Sequence, residues 1–118
     1  MIRRINHYVL ILLIIFSSNI VTANNSCGTP DVLTFGTTQT NLSAVPYWDA
    51  VPGAISYNLK FRKRNVSAQW SAPLSTNTNS LALTNLAATT NYEFIVQTVC
   101  ALDSSLYSSA GWFTTASS

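Results

Sequence analysis

Between Ser56 and Arg64 the chain alternates strictly, with Tyr57, Leu59 and Phe61 on one side and Asn58, Lys60, Arg62 and Arg64 on the other. Tyr92 to Cys100 alternates as well, placing Tyr92, Phe94, Val96 and Cys100 on one face and Ile95 and Val99 on the opposite one. A period of two is the signature of a strand buried on one side only. Shorter apolar runs bounded by turn residues predict further strands at Val32–Phe35, Leu42–Trp48, Gln69–Leu74, Ser80–Thr84 and Gly111–Thr115. Pro52-Gly53 and the Asn/Thr/Ser cluster at 75–80 are the clearest turn signals between them. No stretch of this region sustains apolar residues at helical spacing, so the pattern predicts an all-β domain, a seven-stranded Greek-key sandwich rather than a barrel. Pro46 interrupts the second strand, because proline cannot donate to a ladder, and a bulge or an edge position is expected there.

The N-terminus has a different pattern. Arg3 and Arg4 precede the apolar run Tyr8–Phe16, which is shorter than the roughly 20 residues a spanning helix needs. Val21-Thr22-Ala23 then offers small residues where a signal peptidase cuts. Residues 1–23 are therefore read as a signal peptide and residues 24–118 as one secreted domain, with no membrane insertion after cleavage. The leader takes Arg3, Arg4 and the sole histidine, His7, with it. What remains is Lys60, Arg62, Lys63 and Arg64 against Asp31, Asp49, Glu93 and Asp103, a balance of zero. A domain without a basic excess is not expected to bind nucleic acid.

The loss of His7 also removes Ser-His-acid and Cys-His catalysis from the mature chain. The four acids are scattered in sequence, and no glycine-rich phosphate loop is present, so neither an enzyme nor a cofactor is expected. Cys27 and Cys100, in an exported chain, are either a disulfide closing nearly the whole domain or two buried thiols, and compartment favours the disulfide. Two cysteines without histidine do not fill a structural zinc site, and no metal is expected. Asn24, Asn41 and Asn65 each head an Asn-x-Ser sequon, a pattern that a Ser/Asn-rich chain also produces by composition.

Trp48-Asp-Ala-Val-Pro-Gly-Ala-Ile-Ser-Tyr57, then Leu86 followed by Tyr92, then Phe113-Thr-Thr115 resemble the signature of fibronectin type III modules, over essentially all of residues 28–116. The resemblance implies an immunoglobulin-like sandwich in which Trp48, Tyr57, Leu86 and Tyr92 are structural. It implies a corner hydrogen bond from the Tyr92 hydroxyl to backbone near Leu86 to Ala88. Cys-Gly-Thr-Pro at 27–30 with a cysteine ending the sixth strand is similar to a disulfide-bearing variant of secreted and surface proteins of Bacteroidetes-type bacteria, where the module serves as spacer or adhesive unit. The expected core is Trp48, Tyr57, Leu59, Phe61, Leu81, Leu83, Leu86, Tyr92, Phe94 and Val96.

Two functions fit such a module: a binding or adhesion unit touching an extracellular protein or polysaccharide, or a spacer, either standing alone or as the N-terminal fragment of a longer secreted multidomain protein. If Phe113 points inward, Trp112 points outward, and the outer face carrying Lys60, Arg62, Ile95 and Trp112 becomes the candidate binding face. Glu93 is expected beside Arg62 or Arg64; Lys60 and Trp112 are then either left unpaired as a binding feature, or Lys and Arg stems of this face lie over Trp112 in a cation–π contact and cover it.

Overall fold

The computed structural model describes residues 26–31 and 36–118. The leader expected at 1–23 and the strand expected at Val32–Phe35 lie outside the described residues. Among the described residues there are six strands: β1 (Gly36–Gln39), β2 (Ala44–Tyr47), β3 (Ser56–Lys63), β4 (Leu74–Thr76), β5 (Asn91–Val99) and β6 (Gly111–Thr114). β1 and β2 pair antiparallel, and the other four form an antiparallel sheet in the order β4-β3-β5-β6. The long strands β3 and β5 are those with the cleanest alternation, and their register runs from Ser56 opposite Val99 to Lys63 opposite Tyr92.

The segment expected as a strand at Ser80–Thr84 lies along β2, but only as isolated bridges, Tyr47 with Ser80 and Ala44 with Leu83. Pro46 is the cause. It sits between those bridges and accepts from Leu81 N–H at 3.2 Å, yet it has no N–H to return. The expected bulge or edge is therefore replaced by a β2 flanked on both sides, whose ladder is broken at one point. At Gln69–Leu74 regular pairing starts only at Leu74, immediately after Pro73. Before it, Ser71 substitutes for a strand, donating its N–H to Phe61 O at 2.9 Å and accepting Phe61 N–H on its hydroxyl at 3.1 Å.

The two sheets close on a core of Ala44, Trp48, Tyr57, Leu59, Leu83, Leu86, Tyr92, Phe94, Val96 and Phe113. Phe61 and Leu81, expected at the centre, are only partly buried and pack against it. Trp48 meets Tyr57 edge-on at 5.4 Å, and Tyr92 stacks on Phe113 at 5.5 Å, arrangements that suit the ring quadrupoles. Both buried phenols satisfy their oxygens on backbone. Tyr92 Oη accepts Ala87 N–H at 2.9 Å, the corner bond the resemblance implied. Tyr57 Oη accepts Val51 N–H at 2.9 Å and so anchors the turn at Pro52-Gly53, where Gly53 adopts φ 83° as a type II turn requires.

Cys27 and Cys100 are joined by a disulfide with a Cα–Cα distance of 5.9 Å. It ties the start of the described chain to the end of β5. Beyond Cys100, the chain turns at Ala101-Leu102, with Cys100 N–H donating to Asp103 O at 2.8 Å, and runs back along β5. Serine hydroxyls take the place of carbonyls here. Thr98 N–H donates to Ser105 Oγ at 2.9 Å and Ser105 N–H returns to Thr98 O at 2.9 Å. Val96 N–H donates to Ser108 Oγ at 3.0 Å, and Ser108 N–H returns to Val96 O at 2.8 Å.

Candidate functional site

The pleat of β3 and β5 sends Asn58, Lys60 and Arg62 outward beside Glu93, Ile95 and Gln97. Pairing with β6 adds Trp112 opposite Glu93. The row Arg62–Glu93–Trp112 thus crosses three strands, and Lys60 opposite Ile95 forms the next row. The outer face carries the candidate residues Lys60, Arg62, Ile95 and Trp112 together, with Lys60, Arg62 and Ile95 half-buried and Trp112 64% exposed.

The ion pair expected on this face is present. Arg62 takes Glu93, its Nε donating to Oε1 at 2.7 Å, and its Nη1 donates to Ala68 O at 3.2 Å. Its guanidinium carbon lies 4.0 Å from the centre of the Trp70 ring. Of the two readings of Trp112, covered by a basic side chain or left unpaired, the structure has the first: Arg64 lies over Trp112 at 3.8 Å, and Lys60, expected unpaired, lies over Tyr107 at 4.9 Å. The reason is reach. A long flexible stem lets each charged group settle over the nearest aromatic plane, a cation–π contact worth about 0.5 to 1 kcal/mol at such exposed sites.

Three cations on alternate residues of one strand and its end, 60, 62 and 64, are therefore each seated on an aromatic ring. Trp70 and Tyr107 were not assigned to this face from sequence. Trp70 lies in the stretch expected as a strand at Gln69–Leu74 but is held to β3 only through Ser71, and Tyr107 lies in an aperiodic segment carried along β5 by Ser105 and Ser108. Partial burial pushes the Tyr107 phenol above its usual range.

Two clefts lie away from this face. At the disulfide end a shallow cleft of about 240 Å³ is lined by Ser26, Pro52, Gly53, Leu102 and Asp103 beside the cystine. The Asp103 carboxylate comes within 4.8 Å of both sulfurs, but sulfurs bonded to each other present no thiolate to a cation. A second cleft, of about 430 Å³, opens between β4 and the segment 81–84 and is lined mainly by Phe61, Leu74, Leu81 and Leu83. Neither gathers the paired titratable groups that acid–base chemistry needs.

No family model and no curated protein sequence matches the chain, and the likeness is one of structure. A structure described as that of a myokine superposes with a TM-score of 0.67 at 25% identity, covering 77% of this chain and 99% of that one. A redesigned β-sandwich protein gives 0.61 at 25% identity, covering 78% and 98%. The fibronectin type III domain of human fibronectin type III domain containing protein 3 gives 0.64 at 19% identity, covering 81% and 92%.

Proposed function

We propose, from the premise that this chain is by fold a fibronectin type III domain, that it is a non-catalytic module acting outside the cell and contacting a glycan or a surface protein through the outer face of its four-stranded sheet. Export follows from the leader at 1–23, and a disulfide fits an oxidising compartment. The observation that carries the binding reading is the gathering of Trp70, Tyr107 and Trp112 with Lys60, Arg62 and Arg64 on one face, the tryptophan at 112 remaining largely open to solvent. Aromatic rings and arginines are the residue types that anchor binding surfaces.

The test is a screen of the oxidised mature domain, residues 24–118, against a glycan array and purified surface proteins, with Trp112→Ala beside it. Loss of a true anchor lowers affinity more than about five-fold, the equivalent of 1 kcal/mol. Equal binding by both proteins places the contact elsewhere. A second reading, that the module is a spacer, rests on the same contacts, since each cation and each ring is already partnered within the domain. Absence of any ligand for the wild type would favour it.

A further inference from the structure

The charges of this domain are segregated along its length. All four described bases, Lys60, Arg62, Lys63 and Arg64, lie in β3 or directly after it, towards the end of the sheet where Lys63 pairs with Tyr92. Of the described acids only Glu93 shares that sheet. Asp103 sits beside the disulfide at the other end, and Asp31 and Asp49 lie outside the strands. A domain whose four bases are matched by four acids thus presents an outer face with three cations against one anion.

Of those three, Arg62 is committed to Glu93 and Ala68. Among the described residues Lys60 and Arg64 have no ion-pair partner. Their charged groups lie over Tyr107 and Trp112, and a ring positions a cation without neutralising its charge. Alternate residues of a strand are about 6.5 to 7 Å apart, which spreads the row over ~13 Å on a nearly flat sheet. A single small anion needs converging donors and does not suit a row. A linear chain with charge at intervals does. The guanidinium fork matches a planar carboxylate, and open aromatic surface suits the apolar faces of sugar rings.

Resting on the outer-face reading above, we infer that this row is a subsite for an acidic polysaccharide of the uronic-acid class, lying along β3 with its carboxylates on Lys60 and Arg64 and a sugar ring against Trp112.

Titration calorimetry of the oxidised mature domain with polygalacturonate, dextran sulfate, neutral dextran and polyglutamate tests it. Polygalacturonate binds and neutral dextran does not, and affinity falls between low salt and ~0.15 M, where screening reaches within about 8 Å. Lys60→Gln and Arg64→Gln each lower the affinity about two- to five-fold, the range of exposed ion pairs. Lys63→Gln, on the opposite pleat, leaves it unchanged. Unaltered thermal melts show that the variants are folded. The inference is overturned if polygalacturonate fails to bind, if polyglutamate or dextran sulfate binds more tightly, or if Lys63→Gln costs as much as Arg64→Gln. If the subsite fails while Trp112→Ala still abolishes binding of another ligand in the glycan and protein screen, only this inference falls; if nothing binds in either experiment, the outer-face reading falls with it.

Discussion

Thr98 offers a sharp test of the core. It lies on the inner face of β5 opposite Tyr57, with 0% exposure. Its backbone is satisfied by Ser105, but among the described residues its hydroxyl has no hydrogen-bond partner. Burying an unpaired hydroxyl costs about 1 to 3 kcal/mol by mutational measures. Thr98→Val removes that cost with almost no change of shape and adds a buried methyl, worth about 0.8 kcal/mol. Some of this gain is lost because the denatured chain is itself partly compact. The expected result is a stabilisation of about 1 to 2 kcal/mol, with each 1 kcal/mol raising Tm by roughly 4 to 8 °C in a domain of this size. Urea titration followed by tryptophan fluorescence measures it, provided the slope with denaturant stays constant. Thr98→Ser is the control: it keeps the hydroxyl, opens a methyl-sized gap and loses about 1 kcal/mol. A destabilised Thr98→Val would refute the reasoning, since it would mean that the hydroxyl is bonded in solution.

Tyr92→Phe removes the acceptor for Ala87 N–H and leaves that donor without a partner, so a loss of about 1 to 3 kcal/mol in the same titration is expected, with the fold intact by circular dichroism. Reduction of Cys27–Cys100, 73 residues apart, should lower stability by on the order of 4 kcal/mol in the chain-entropy model; an unchanged denaturation midpoint in reductant would show that the loop closure contributes nothing. Leu102→Ser, at a position 99% exposed on the hairpin tip, should leave the midpoint within about 0.5 kcal/mol. The Tyr107 phenol should titrate above its ordinary value of about 10 when followed by ultraviolet absorbance. Because that proton is held more tightly in the folded state, the contribution to stability is present below the ordinary value and is lost as pH rises through the folded one.

The sequence by itself determined the features that depend on local period and on single chemical necessities. Alternation from Ser56 and from Tyr92 defined β3 and β5 and separated Tyr57, Leu59, Phe94 and Val96 from Lys60, Arg62, Glu93 and Ile95. A strand can place its side chains only on two faces, so this assignment required no partner. The buried Tyr92 needed a bond for its oxygen, whereas the two cysteines read as a disulfide or as two thiols until the fold joined Cys27 to Cys100. Tertiary structure alone decided the pairings that long side chains and aperiodic segments make. Arg64 rather than Lys60 covers Trp112, Lys60 rests on Tyr107, and Trp70 enters the face from a loop, because stem length and loop closure bring together residues whose separation in sequence carries no signal. The serines at 105 and 108 read as loop residues, yet their hydroxyls continue the ladder of β5; an O–H acceptor can stand in for a carbonyl only where the fold has already brought a strand beside it. Pro46 marked a defect in advance, but which neighbour would lose the hydrogen bond depended on the side of β2 its nitrogen faced, and that was settled when the segment 80–83 docked there.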